Sequence, residues 1–159
     1  MQKNFKRMIA LADEVFDVKH DPTQLDVNEK VIERLLQIHP SAVTELSNED
    51  GPYCWILLIP TTSVLMNDFL QNKISESQLF EQTAVGDRYD CVYLCSAMLL
   101  EEFRHRGIAQ QTTVKAIQSI KQQHTISNLF VWSFTLEGNK AAEAIANILQ
   151  LPLLKKMNA

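Results

Sequence analysis

Leu99-Leu100-Glu101-Glu102-Phe103-Arg104-His105-Arg106-Gly107-Ile108-Ala109-Gln110 is the stretch on which the reading of this chain turns. The run before it, Cys91 to Leu100, is apolar and of strand length. The run after it, Gly107 to about His124, places Ile108, Val114, Ile117 and Ile120 on a helical stripe. The quoted stretch is therefore the bend from a strand into a helix. Gly107 and Ala109 let main-chain amides approach a ligand closely. The first N–H groups of a helix have no partner inside it, and the helix dipole favours an anion there. Arg104 and Arg106 add charge and directed donors. Together these make a cradle for a pyrophosphate. It is not a P-loop, because no Gly-Lys-Ser/Thr follows, and it is not a dinucleotide fingerprint, because GxGxxG is absent.

Downstream, Leu129 to Phe134 reads as a strand and Gly138 to Leu149 as an alanine-rich helix closed by Pro152, with only the apolar tail Leu153-Leu154 beyond. Strand–helix–strand–helix implies a parallel pair with a crossover. Upstream, Phe5 to Phe16 places Phe5, Met8, Ile9, Ala12, Val15 and Phe16 on one helical face. Asp26 followed by Glu29 has capping-box spacing and opens a second helix carrying Val31, Ile32, Leu35, Leu36 and Ile38, which Pro40 ends. Ala42 to Leu46 and Tyr53 to Ile59 read as two strands joined at Asn48-Glu49-Asp50-Gly51 into a hairpin, with Pro60 as its stop. Residues 60–89 form a helical insertion: Val64, Leu65, Phe69 and Leu70 mark one short helix, Ser75 caps another with Leu79 and Phe80, and Gly86-Asp87 is a loop. The expected fold is a single α/β (α+β) domain over residues 1–159, a mixed sheet covered by helices.

A chain of 159 residues with 46% hydrophobic and 21% charged residues can build one core without disulfides or metal. A net charge of −4 argues against general nucleic-acid binding, which needs a basic field. Cys54, Cys91 and Cys95 are odd in number and lack metal-ligand spacing, so they read as buried thiols of a reducing compartment. The longest apolar runs fall far short of a membrane span, and Met1 to Phe16 lacks a signal-peptide core; a cytoplasmic protein is expected. Tyr93, Trp55 and Trp132 read as core aromatics.

Arg104-x-x-Gly107-x-Ala109 resembles the Arg/Gln-x-x-Gly-x-Gly/Ala motif of the GCN5-related N-acetyltransferases (GNAT). The composition of this chain yields roughly 0.04 such matches by chance. One helix and one strand later, Gly138-Asn139-Lys140-Ala141-Ala142 is similar to that family's Asn-x-x-Ala segment. The resemblance covers 91–149, which would form the cofactor-binding half. It implies a GNAT-like sheet whose parallel strands, ending near Leu99 and Phe134, splay apart around acetyl-CoA as co-substrate. It further implies that backbone groups near Met98 and Leu99 pair with the pantetheine amides. Arg104, His105, Arg106, Gly107, Ile108, Ala109 and Gln110 would hold the pyrophosphate, and Asn139 and Ala142 would lie beside the pantetheine arm. The implied activity is transfer of the acetyl group to an unidentified primary amine, on a small molecule or a peptide, by direct attack.

Glu101 and Glu102, just past the strand end, and Ser133, near the end of the later strand, are the candidates for moving protons or touching the acceptor. His105 reads as a backbone-contact position, and Asn139 also suits a helix N-cap. The chain departs from the family pattern in three places. Ala146 stands where many members have a tyrosine acid, residues 60–89 replace a short hairpin, and only ten residues follow Leu149, too few for the usual terminal strand pair. These departures set out an alternative, a non-catalytic acyl-CoA-binding or protein-interaction module of the same fold. A shortened C-terminus would also leave a sheet edge uncovered, which invites a homodimer.

Overall fold

Turn and cap chemistry sets most of the element ends. The computed structural model of the protein describes residues 3–19, 25, 27–132 and 135–156. Helix α1 (Lys3–Lys19) is followed by α2 (Glu29–Ile38), whose first turn is capped by the Asn28 side chain accepting the Val31 N–H at 3.0 Å. Asn28, not Asp26, is therefore the cap; Asp26 lies outside the described residues. Strands β1 (Val43–Asn48) and β2 (Gly51–Thr61) form the expected hairpin. Pro60 does not stop β2 but pairs with Val92, and it is tolerated because β1 has already ended opposite Leu57, leaving that edge of β2 free of a partner needing an N–H. Helices α3 (Ser63–Leu70) and α4 (Glu76–Gln82) fill the insertion, and Ser75 with Gln78 makes a complete capping box.

The second half is β3 (Cys91–Leu99), α5 (Ile108–Lys121), β4 (Asn128–Trp132), α6 (Leu136–Leu149) and β5 (Leu153–Lys156). The sheet order is β1-β2-β3-β4-β5, antiparallel from β1 to β3 and parallel from β3 to β5. The segment read as a short apolar tail is thus a fifth strand. It runs parallel to β4, with Leu129 opposite Leu153 and Trp132 opposite Lys156, and covers the edge expected to lie open. Helix α6 begins two residues before Gly138, because the Thr135 hydroxyl caps it by accepting the Gly138 N–H at 2.9 Å. A Cβ at Gly138 would stand 2.9 Å from that same Thr135 Oγ1, so the cap requires the glycine.

The two faces of the sheet carry different helices. Tyr93, Phe130 and Trp132 surround Phe69 of α3, with ring centroids 5.1, 5.9 and 6.1 Å away. Lys156, one residue along from the opposite face, holds its ammonium 4.3 Å from the Phe69 ring and 4.5 Å from Trp132. Glu76 of α4 is fully buried, accepting the Leu25 N–H at 2.9 Å and the Tyr93 O–H at 2.5 Å. Helices α1, α3 and α4 thus cover one face. Helix α6 covers the other, where Glu143 pairs with Lys155, and α5 packs beside it. On α1 the inward side is Asn4 and Met8, whereas Phe5 and Ile9 are 43% exposed, so the expected apolar face is only half used. Asn4 binds the hairpin turn, its N–H donating to the Asp50 carbonyl at 2.8 Å. Tyr93 is core as read, while Trp55 and Trp132 are only half-buried, and Trp55 Nε1 donates to Glu45 at 2.7 Å. The cysteines are free and buried; burial pushes the Cys54 thiol up to about 11 and the Cys91 thiol to about 12, so neither is a thiolate near neutrality. No helix among the described residues is long and apolar enough to cross a membrane.

His39 locks α2 to the end of α5. Its Nδ1 accepts the Ser41 N–H at 2.9 Å, so Nε2 carries the proton and donates to Gln123 Oε1 at 2.7 Å. Burial lowers the His39 pKa below 6.5, and His124 nearby lowers it further against the raising effect of Gln123. The neutral form is the folded one, so the stability this group contributes is complete above pH 6.5 and is lost as pH falls through the lowered value. Urea midpoints are expected to fall between about pH 7.5 and 5 in the wild type and to fall less in His39→Gln.

Candidate functional site

Where β3 leaves β4 the sheet opens. Among the described residues the parallel pairing covers only Cys91–Asn128, Val92–Leu129 and Tyr93–Phe130. Beyond it β3 continues to Leu99 and β4 to Trp132 without pairing to each other. The cause lies on β3. Leu57 of β2 pairs with Ser96 and Leu58 with Leu94, so Cys95 is an extra residue, a β-bulge immediately after the last β4 pair. A bulge bends its strand and increases local twist, which carries β3 away from a neighbour while keeping its pairing with β2.

The bend quoted at the outset stands at the C-terminal end of this opening. Leu100 N–H donates to the Tyr53 carbonyl at 3.0 Å, and Glu101–Phe103 form a single 3₁₀ turn. His105 and Gly107 both have positive φ, 64° and 74°, with Arg106 of negative φ between them. Alternating sign of φ turns successive N–H groups into a common concavity, which suits an anion. Gly107 is the N-cap of α5, and no side chain caps that turn. The first turn of α5 contains no acidic residue, so its positive end is uncompensated.

The two arginines have different tasks. Arg104 Nε donates to the Leu99 carbonyl at 2.9 Å, fastening the bend to the strand end. The Leu99 carbonyl, among the backbone groups near Met98 and Leu99 expected to pair with the pantetheine amides, is thus already engaged. Arg106 lies over the Phe103 ring, 5.9 Å from its centroid, and Phe103 stacks on Tyr53 at 4.3 Å. Arg106 is therefore shelved on aromatic surface beside the α5 N-terminus. Arg104, His105, Arg106 and Gly107 are exposed, while Ile108, Ala109 and Gln110 are half-buried in the first helical turn.

The other residues singled out by the sequence divide into three sets. Met98 is buried with Met8 and Leu100 under α1, so its side chain is core, and it pairs with Trp55 of β2. Asn139 is not an N-cap, since Thr135 has that role; it sits inside the first turns of α6, where its Oδ1 is buried with no hydrogen-bond partner. Ala142 and Ala146 are buried on the inner side of α6. Glu101 is exposed on the 3₁₀ turn. Glu102 faces Arg7 of α1, which grips it with two N–H groups at 2.7 and 2.5 Å. That grip pulls the Glu102 carboxyl down to about 2, which removes it as a general base near neutrality. Ser133 lies outside the described residues. Among the described residues no cluster of His, Cys, Asp and Glu could hold a metal ion.

Sequence reading missed Arg7 and Ser96. Arg7 meets Glu102 only because α1 packs across the strand ends. Ser96 follows the bulge residue, and its Oγ is buried with no partner. Neither position carries a local signal. The architecture is mixed α/β with a five-stranded sheet whose last three strands are parallel. Compared with protein-family models, with curated proteins and with solved structures, the chain matches none.

Two outcomes check this geometry. Arg7→Ala is expected to return the Glu102 pKa from about 2 toward 4.5, read by carboxyl ¹³C chemical shifts during a pH titration. Gly107→Ala has room for its Cβ but forces an L-residue to φ 74°, so it is expected to destabilise by about 1 kcal/mol or more in urea unfolding.

Proposed function

We propose that this protein binds acetyl-CoA in the gap between β3 and β4 and transfers the acetyl group to a primary amine, as the resemblance to GCN5-related N-acetyltransferases implies. The observation that carries the proposal is the early end of β3–β4 pairing directly beside an uncapped, arginine-flanked helix N-terminus. An unpaired strand edge offers main-chain donors and acceptors to an amide-bearing arm, and the helix end offers N–H groups to its phosphates. The buried, partnerless Oδ1 of Asn139 supports the same reading, because an acceptor atom of that kind fits an amide N–H of the arm.

In this reading Arg106 and the N–H groups of Ile108 to Gln110 hold the pyrophosphate, and Arg104 keeps the bend in place rather than binding directly. The exposed backbone of β3 aligns the arm. The amine nitrogen bonds to the thioester carbonyl carbon, the C–S bond breaks with its electron pair on sulfur, and the proton lost by the amine ends on the thiolate. Glu102 is unsuited to take that proton in its Arg7 pair, which leaves Glu101, exposed on the same turn, as the nearer candidate. A cytoplasmic location remains part of the same proposal; a second copy of the chain loses the open β4 edge that motivated it, because β5 covers that edge.

A second reading is favoured by two particular residues. Ala146 points into the core from α6, where it has no proton to give, and Glu102 is held ionised. Both suit a domain that binds acyl-CoA without turnover. One experiment separates the readings. With acetyl-CoA at about 100 times its dissociation constant, the protein is expected to gain about 2.7 kcal/mol of stability, and Arg106→Ala is expected to lose most of that gain. Thiol release with an amine library then distinguishes transfer from binding alone. No thermal shift with acetyl-CoA or CoA removes both readings.

A further inference from the structure

Among the described residues, β3 beyond its last β4 pair holds one buried polar side-chain atom that the cofactor reading does not use. Ser96 lies three residues beyond Tyr93, the last β3 residue paired to β4, and three before Leu99, the end of the strand. Roughly 10 Å of β3 separates it from each. Its Oγ is buried and has no hydrogen-bond partner. Buried hydroxyls are nearly always satisfied, and leaving one unpaired is costly, so an unpaired one at an opening in the sheet calls for a ligand atom.

The register fixes which way Ser96 faces. It pairs with Leu57, and Met98 pairs with Trp55, so Ser96 shares the α1 side of the sheet with Met98. Asn139, the other partnerless polar residue beside the opening, belongs to α6 on the opposite side. The two therefore lie on opposite sides of the sheet. The bulge at Cys95 is what sets Ser96 on that side; without the extra residue the alternation would turn it the other way.

We propose that the Ser96 hydroxyl donates a hydrogen bond to the carbonyl oxygen of the acyl thioester. The proposal rests on the acetyl-CoA reading above. An arm anchored at the α5 N-terminus on one side and running back along β3 brings its far end to the level of Ser96 and presents the carbonyl to the α1 side. As the amine nitrogen bonds to the carbonyl carbon, the π electron pair moves to oxygen, where the Ser96 O–H stabilises it. When the C–S bond breaks, the pair returns to re-form the C=O bond and sulfur leaves with the C–S electrons. The serine gives up no proton and forms no bond.

The test needs no knowledge of the acceptor. Acetyl-CoA and S-ethyl-CoA have nearly the same size, but only the first has the carbonyl. Wild-type protein is expected to bind acetyl-CoA about five- to tenfold more tightly than S-ethyl-CoA, and Ser96→Ala to bind both with the S-ethyl-CoA affinity. The unliganded Ser96→Ala protein is expected to melt about 2–4 °C higher, because it loses an unpaired buried hydroxyl. Equal preference in wild type and variant, or a lower melting point for the variant, overturns the assignment, the latter because it reveals a structural role. Failure of the wild type to bind either compound is a different result, which overturns the cofactor reading and this one with it.

Discussion

One extra residue in β3 governs the geometry on which everything else here depends. Up to Tyr93 the strand is held on both sides, by β2 and by β4. At Cys95 the count on β3 exceeds that on β2 by one, and from there only the β2 side stays paired. Hydrogen bonds along a strand are strong and local, so a sheet opens only where something obliges the backbone to turn. The bulge does so at small cost because the β2–β3 ladder resumes at once on the far side of it.

The elements around the gap are held by interactions among themselves. Arg104 binds the Leu99 carbonyl and Arg7 binds Glu102, so the bend after β3 is tied to its own strand and to α1. Phe103 stacks on Tyr53 and in turn supports Arg106. Positive φ at His105 and Gly107 is sustained by this surrounding order. On the insertion side, Glu76 joins α4 to Tyr93 of β3 and to Leu25, while Lys156 joins β5 to Phe69 and Trp132. The insertion and the last strand are thus tied to the same sheet face beside the gap. Donors fixed in advance in this way lose little on binding a ligand.

Much of the fold was legible in the sequence, and the errors have physical causes. The strand–bend–helix unit at Leu99–Gln110 was readable because apolar period, glycine position and arginine spacing agree locally. The Ser75 cap and the hairpin at Asn48–Gly51 were equally local. Pro60 was misread because proline's effect depends on whether a neighbour needs its N–H, and that is set by where β1 ends. Leu153 to Lys156 was read as a tail because four residues carry no period of their own; they become a strand only beside β4. Phe5 and Ile9 were assigned inward by periodicity, yet Asn4 takes that side because the hairpin turn offers it hydrogen bonds.

By itself the sequence determined the order of helices and strands up to α6, the parallel crossover in the second half, and the bend between β3 and α5. Each of these follows from residues within about a turn or two of one another, where periodicity and capping act. Only the tertiary structure decided that, among the described residues, β3 and β4 part after three pairs, that Glu102 is bound by Arg7, and that Ser96 and Asn139 keep buried polar atoms without partners. Those facts depend on register and on packing between segments as far apart as Arg7 and Glu102, and no local pattern encodes which distant group a side chain will meet.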